Sequence, residues 1–268
     1  MVKTLGTAVL ALGLVVAWLS PTAAQSTRVH LIQGIPDTSI DLEIDGKVVA
    51  RDLGFRGTYD VSSLGGQRLP AVKIKRAGTG EVLLNAGDVT LPNAANVTVV
   101  LHLKLDGSTG LSSFENDVTK LRAGQSRLVV RHLAAAPPVD VVSAGKVVFE
   151  NLANGQEVGA DLPAGAVAAS LVPSGTAGPA ILGPADLTLE EGVALIVYGL
   201  GSIERNTMAV ATESIPGLGG SPTEVNTGNS VVGGPTPTPV WVYLAPIGAL
   251  AMLGSLALRS SRASRRLT

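Results

Sequence analysis

The chain has 268 residues and contains no cysteine and few aromatic residues. Without cysteine it can form neither disulfide bonds nor thiolate metal sites, and it has no cysteine nucleophile. The three histidines are spaced too widely for a short zinc-binding motif: they are His30, His102 and His132. Aromatic residues make up 3% of the chain, which leaves little material for a surface that stacks sugars or nucleotide bases.

An excess of charge of either sign is also missing, since 20 basic and 21 acidic residues give a formal net charge of −1. A protein that binds nucleic acid needs a surplus of Lys and Arg to neutralise phosphates, so we expect no nucleic-acid partner. Five of the basic residues lie near the ends, at Lys3, Arg259, Arg262, Arg265 and Arg266. Residues 25–239 therefore hold the other 15 basic residues against all 21 acidic ones, a net charge of −6.

Signatures of the common enzyme classes are absent from the sequence. It contains no Gly-x-Ser-x-Gly elbow, no His-Glu-x-x-His pair, no phosphate-binding P-loop and no dinucleotide fingerprint. We therefore expect a non-enzymatic protein with no cofactor.

The first 24 residues are typical of a secretory signal peptide. Lys3 provides a positive start, residues 5–19 form an apolar run, and the small residues Ala23 and Ala24 predict cleavage before Gln25. The alternative is an uncleaved anchor helix.

A second apolar run, Val240–Leu258, has 19 residues without a charge. A helix of this length just spans a hydrocarbon core of about 30 Å. Four arginines follow in residues 259–268, which predicts a cytoplasmic tail by the positive-inside rule. We expect a single-pass type I membrane protein, with the preceding domains outside the cell membrane.

Residues 217–239 are rich in Gly, Pro and Thr and poor in large apolar residues, which predicts a solvated stalk. Within it, residues 224–228 faintly resemble a sortase sorting signal but lack the expected Leu-Pro pair. Attachment to the cell wall is therefore an alternative to a retained membrane anchor.

The middle of the chain contains an internal repeat. Residues 28–53 align with residues 127–152 at a constant separation of 99 residues, with seven identities, among them the pair Asp41 and Asp140. Apolar and polar residues alternate along residues 39–45, which predicts a strand, and Asp45-Gly46 predicts a tight hairpin turn. Further strands are expected at residues 72–75, 97–103, 129–133 and 194–198.

Short strands and frequent turns over about 90 residues per repeat favour a mainly β fold. We expect two tandem immunoglobulin-like antiparallel β-sandwich domains, at residues 25–121 and 122–216. Phe149 and Tyr198 are expected to lie in the sandwich cores.

Residues 33–46 resemble the opening motif of the bacterial domain-of-unknown-function 4397 family, His-Gly-Ile-Pro-Asp-Thr-Pro-Val-Asp-Val-Tyr-Val-Asn/Asp-Gly. Residues 130–141 are similar to its second-repeat form, and the likeness extends over about 28–215. The chain departs from the motif at Gln33, where His is usual, and at Ser39, where Pro is usual. The resemblance implies exported, tandem β-sandwich surface domains and brings no catalytic residues with it.

Four acidic residues in the first repeat fit the ligand spacing of a calcium loop: Asp41, Glu43, Asp45 and Asp52. Their flanks are strand-like rather than helical, and strand alternation alone would place positions 41, 43 and 45 on one solvated face. Asp41 and Asp140 are paired by the repeat, so we expect both to support the architecture by accepting backbone N–H groups.

Together these features predict a bacterial surface protein whose sandwiches serve adhesion, spacing or contact with an unidentified extracellular protein or envelope component. The alternative is a calcium-binding or small-ligand receptor domain in the first repeat.

Overall fold

The structure, a computed structural model, describes residues 27–176 and 178–220. Sixteen strands make up most of this part of the chain. The first eight are β1 (Arg28–Gln33), β2 (Ile40–Ile44), β3 (Lys47–Leu53), β4 (Thr58–Asp60), β5 (Arg68–Arg76), β6 (Val82–Thr90), β7 (Asn96–Leu103) and β8 (Thr109–Glu115). The second eight are β9 (Gln125–His132), β10 (Val139–Ser143), β11 (Lys146–Leu152), β12 (Gln156–Pro163), β13 (Gly165–Pro173), β14 (Leu182–Leu189), β15 (Ala194–Leu200) and β16 (Ala209–Ile215).

The strands form four sheets of four, and the two halves of the chain share one topology. Sheet A has the order β4-β1-β7-β8 and sheet B the order β3-β2-β5-β6. Sheet D, with order β12-β9-β15-β16, and sheet F, with order β11-β10-β13-β14, repeat that arrangement eight strands later. The predicted mainly β fold and the predicted internal repeat are confirmed, and every strand expected from the sequence is present.

The sheets are largely antiparallel, as expected, but each half contains one parallel strand pair. β1 pairs with β7 in parallel, and β9 pairs with β15 in parallel, while all other pairs are antiparallel. A parallel pair needs a long crossover connection. Here the connection from β1 to β7 contains the four strands of sheet B and also β4, which pairs with the other side of β1 at the edge of sheet A.

Three layers of buried side chains hold the four sheets in a stack. Sheets A and B enclose a core that includes Val29, Ile40 and Ile74, and sheets D and F enclose a second core that includes Val139 and Leu189. A third cluster lies between sheet A and sheet D and joins the two halves. Its buried members are Ile32, Val100, Phe114, Leu121, Leu133, Ala194, Ile196, Tyr198, Leu200, Ile215 and Leu218.

The predicted hairpin at Asp45-Gly46 is confirmed. Ile44 pairs with Lys47, and the two residues between them have φ angles of 49° and 72°. Positive φ at both central residues is the geometry of a two-residue turn that matches the twist of its strands. Ala144 and Gly145 repeat it in the second half, with φ angles of 48° and 72°.

Asp41 and Asp140 have the architectural role expected of them. Asp41 Oδ1 accepts the N–H of Asp52 at 2.8 Å, and Asp140 Oδ1 accepts the N–H of Asn151 at the same distance. Asp52 and Asn151 both have positive φ, so each carboxylate fixes an irregular point in the neighbouring strand. Asp140 Oδ2 also accepts the N–H of Gly175 at 3.0 Å.

Gln33 and His132 occupy equivalent positions, and both are fully buried at the end of the first strand of their repeat. Gln33 Nε2 donates to the carbonyl oxygens of Ile35 and Thr38. His132 Nε2 contacts the corresponding loop, at 3.1 Å from the carbonyl oxygen of Pro137, while His132 Nδ1 has no hydrogen-bond partner. The repeat thus tolerates either side chain, because both donate to the loop that follows.

Most of the predicted targeting and anchoring segments lie outside the described residues: the signal peptide at 1–24, the transmembrane helix at 240–258 and the tail at 259–268. Among the residues described, no helix is long and apolar enough to cross a membrane. The first residues of the predicted stalk are packed, since Leu218 is buried and its carbonyl oxygen accepts the N–H of Leu121 at 2.7 Å. The packed region therefore extends past residue 216, where the second domain was expected to end, to Gly220.

Replacing Asp140 tests the carboxylate contacts. Asp140→Ala leaves the N–H groups of Asn151 and Gly175 without their acceptor, and we expect a loss of roughly 1–3 kcal/mol in the free energy of unfolding. Asp41→Ala, with one such contact to lose, is the matched control and should cost less. Denaturant unfolding followed by circular dichroism measures both; equal losses would contradict the assignment.

Asp140 also predicts an acid dependence of stability. Hydrogen bonds from the backbone of Asn151 and Gly175 lower the pKa of Asp140. Its ionised form therefore stabilises the fold above the usual aspartate pKa of about 3.9, and the contribution is lost as the pH falls through the lower folded value. The stability advantage of the wild type over Asp140→Asn should shrink as the pH falls below about 4.

Burial of His132 predicts a second pH dependence, at milder acidity. Desolvation lowers the pKa of His132, and it lowers that of His102 in the same way. A lowered histidine pKa means that the unfolded chain binds protons more readily, so stability should fall as the pH drops below about 6.5. His132→Gln introduces the side chain found at the equivalent position Gln33. It should reduce the decrease in unfolding free energy between pH 7 and 5, and the remaining decrease should be due to His102. An unchanged slope between pH 7 and 5 would contradict the interpretation.

Candidate functional site: the cleft between the sandwiches

The facing surfaces of sheets A and D carry the polar groups that distinguish this interface from the two sandwich cores. On sheet D, cross-strand pairing aligns the side chains in three rows on the face toward sheet A. The rows are Asp161-Arg127-Ala194-Ile215, Gly159-Val129-Ile196-Glu213 and Glu157-Arg131-Tyr198-Ala211. The first and third rows thus each begin with an arginine–carboxylate pair, and the middle row is apolar except for Glu213.

Arg131 is almost fully buried, at 1% exposure, and is the centre of this interface. Its Nε lies 2.8 Å from Glu157 Oε2, and its Nη2 donates to Asn116 Oδ1 of the first half at 2.6 Å. Its guanidinium carbon lies 4.2 Å from the centroid of the Phe114 ring. A buried cation is costly unless it is paired, and here both halves of the chain provide the compensation.

Glu213, whose side chain is 11% exposed, forms a second polar junction across the interface. Its Oε1 lies 2.7 Å from Nδ1 of His30, and its Oε2 accepts the hydroxyl of Thr98 at 3.0 Å, so two residues of sheet A contact one carboxylate of sheet D. The hydroxyl of Tyr198 also donates to Oε2 at 2.6 Å. The glutamate thereby links three elements across the interface.

Tyr198 connects Arg131 with Glu213. Its hydroxyl accepts a hydrogen bond from Nη1 of Arg131 at 3.0 Å and donates one to Glu213. The ring is fully buried between the halves. Burial raises the pKa of Tyr198 well above its usual range, so the hydroxyl remains a donor at physiological pH. The expectation that Tyr198 fills a sandwich core is wrong: the strand faces alternate, and this position points to the neighbouring sandwich.

A cleft of about 470 Å³ opens beside Arg131, where sheet D extends further sideways than sheet A. Phe114 and Asn116, from β8, lie against Arg131 of β9. Sheet A ends at β8, whereas sheet D continues from β9 to β12, so β12 has no strand above it. The floor of the cleft includes Val129 and Gly159.

Arg127 and its carboxylate partners form one end of this cleft. Arg127 Nε and Nη2 donate to the two carboxylate oxygens of Asp161 at 2.7 and 3.0 Å, and its Nη1 lies 2.9 Å from Asp117 Oδ2. The hydrogen bond with Asp161 is the main cause of the raised pKa of Arg127. Arg131 with Glu157 forms the other end.

The cleft carries a negative charge. Its lining contains four carboxylates and two guanidiniums, so it has a net charge of about −2 when all six are ionised. The carboxylates are Glu115, Asp117, Glu157 and Asp161. Both guanidiniums are engaged by carboxylates, which leaves the excess negative charge at the opening.

Of the four residues predicted as calcium ligands, Asp41 and Asp52 lie together at one pocket, whereas Glu43 and Asp45 lie elsewhere. Asp41 accepts the N–H of Asp52, Asp45 lies exposed in its hairpin turn, and Asp52 is exposed in β3. The solvated face expected at positions 41, 43 and 45 is wrong at Glu43, which is buried because Lys75 and Lys73 cover its carboxylate. Among residues 27–176 and 178–220, no three His, Asp or Glu side chains are grouped closely enough to hold a metal ion.

Sequence reasoning missed the residues of this interface. One signal was present: Arg131 ends the apolar run 128–130, and its repeat equivalent is the apolar Ile32. Such a difference between equivalent positions marks a face with a different environment. Nothing comparable marks Glu213, because the repeat identity is weak at the end of the chain.

Comparison with known proteins gives one positive finding. Residues 27–142 match the family model described as a domain of unknown function, DUF4397. Among curated proteins, none is similar enough to this chain to count as a match. The matched segment begins just before β1, includes the whole first half, and ends within β10. The resemblance to the DUF4397 family that the opening motif indicated is therefore confirmed over residues 27–142.

Proposed function

We propose that the chain is a non-enzymatic protein of the bacterial cell surface that presents two immunoglobulin-like sandwiches as one body for contact with another protein. A signal peptide at 1–24 exports the chain, and the helix Val240–Leu258 anchors it. The segment after Gly220 then acts as the stalk. Adhesion to a partner or spacing from the membrane follows from this arrangement.

The observation that carries the proposal is the interface between sheets A and D. Flexibly linked domains have separate surfaces, whereas here an apolar cluster, the buried Arg131 and the largely buried side chain of Glu213 join the halves. Buried ionic groups with matched partners restrict the halves to one relative position. A stack of four sheets with fixed geometry is suited to presenting a composite surface to a partner.

The alternative of a calcium or small-ligand receptor in the first repeat has weaker support: Asp41 and Asp52 line an open pocket with Asp37, but no group of metal ligands forms among the described residues. Backbone or lysine groups already engage Asp41 and Glu43, two of the four candidate ligands.

Protease treatment of intact cells that express the full chain tests the location. An antibody against residues 27–220 should lose its signal on the cells and detect released fragments in the medium, while a cytoplasmic marker stays intact. Full protection of residues 27–220 until the cells are lysed would contradict the proposed topology.

Removing the Glu213 carboxylate tests whether the halves act as one body. Glu213→Ala leaves the hydroxyls of Tyr198 and Thr98 without their acceptor and should cost roughly 1–3 kcal/mol. In denaturant unfolding, we expect the wild type to unfold in one transition. The variant should unfold at a lower denaturant concentration or in two transitions. Glu81→Ala is the control, since Glu81 forms an exposed pair with Arg76 that should contribute little. Two separate transitions in the wild type would contradict the proposal.

A further inference from the structure

We propose that the free edge of β8, beside the cleft, accepts an extended basic segment of a partner protein as a fifth strand of sheet A. The inference deepens the proposed function, because it names the surface and the chemistry of the protein contact. It rests on three features: an unprotected strand edge, a vacant strand position above β12, and the charge of the cleft.

Edge strands are ready templates for pairing, and proteins usually blunt them with bulges, prolines or short length, or cover them. Four edge strands of the described sheets contain register shifts, namely β3, β6, β11 and β14. The others are blunted differently: β4 has three residues, β12 ends in Pro163, and Arg56 contacts the carbonyl oxygen of Val210 on β16. β8 has none of these protections.

The pairing of β8 shows which of its groups face outward. The N–H of Asn116 donates to the carbonyl oxygen of Asn96, and the N–H of Lys104 donates to that of Ser108, with continuous register between them. The hydrogen-bonded positions of β8 are therefore the even-numbered ones. In an antiparallel ladder the intervening residues direct their N–H and C=O groups away from the partner. Leu111, Ser113 and Glu115 thus offer theirs to the free edge.

The vacant position lies beside this edge. Sheet A ends at β8 while sheet D continues to β12, and the cleft begins at Glu115, Asn116 and Asp117, where β8 ends. A strand added to β8 would lie over Val129 and Gly159. Val129 and Gly159 line a cleft of about 470 Å³, which gives the added strand space for its side chains.

The charge of the cleft selects the partner. Its four carboxylates exceed its two guanidiniums, and the exposed side-chain fractions of Asp117, Glu157 and Asp161 are 55%, 39% and 38%. Acidic side chains on the added strand would meet repulsion here, whereas Lys or Arg side chains would be attracted. Backbone pairing provides the affinity and the alternate side chains provide the specificity, as in other cases of strand addition.

The test uses the full chain in a mild detergent and a defined probe, the fluorescein-labelled peptide Val-Lys-Val-Lys-Val-Lys-Val. Fluorescence anisotropy should show binding at least tenfold tighter than that of the same peptide with Glu in place of Lys. Salt should weaken the binding, because the charges at the cleft opening are partly exposed. Equal binding of both peptides, or no binding of either, would overturn the proposal.

Ser113→Pro removes an outward N–H and should weaken binding at least tenfold, since proline is tolerated at a strand edge but cannot donate. Ser113→Ala keeps the N–H and should bind like the wild type. Glu115→Gln should weaken binding severalfold, and Glu81→Gln, which removes a distant exposed charge, should not. If Ser113→Pro binds normally, the strand-addition mode is wrong.

Amide hydrogen exchange on the wild type gives a readout that does not depend on a variant folding. Addition of the lysine peptide should slow the exchange of Leu111, Ser113 and Glu115. Unchanged exchange at these residues would overturn the proposal. A dimer of the chain that is lost in Ser113→Pro would also overturn it, because the edge of β8 would then pair with a second copy of the chain. If the peptide does not bind but protease releases the domains from intact cells, the strand-addition proposal fails and the proposed surface location stands. If the peptide binds but protease releases nothing, only the proposed location is contradicted.

Discussion

The burial of the Arg131 guanidinium between the two sandwiches is the constraint on which the arrangement of this molecule depends. A cation with 1% exposure is tolerated only when its charge and donors are engaged. Glu157 and Tyr198 of the second half provide part of that compensation, and Asn116 and the Phe114 ring of the first half provide the rest. Separation of the halves would expose apolar surface and leave the network incomplete at the same time.

The same network explains why the two halves differ despite their common topology. Both repeats use a carboxylate to fix an irregular strand, at Asp41 and Asp140, and both use a buried donor at the end of the first strand, at Gln33 and His132. They diverge where they face each other: Ile32 of one half corresponds to Arg131 of the other. A duplicated sandwich thereby acquires two complementary surfaces. With no cysteine in the chain, packing and these polar contacts must hold the fold.

Much of the fold was predictable from the sequence, because its signals are local. Alternation along residues 39–45 and the Asp45-Gly46 turn report the conformation of a few neighbouring residues, and the structure confirms both. The parallel pairing of β1 with β7 was not predictable in this way, since it depends on where the chain returns after building a second sheet. The interface was also missed. Glu213 and His30 are 183 positions apart, and only the stacking of sheets A and D brings them together.

Native-state hydrogen exchange tests most directly whether the two sandwiches form one cooperative body. β7 and β15 are interior strands of their sheets, and both contribute to the cluster between the halves, with Val100 and Tyr198 among its members. If the halves are one cooperative unit, the most protected amides of β7 and β15 should report the same free energy of opening, equal to that of global unfolding. Amides in one strand that open at a clearly lower free energy than those in the other would show that the halves unfold independently, and would contradict a single cooperative body.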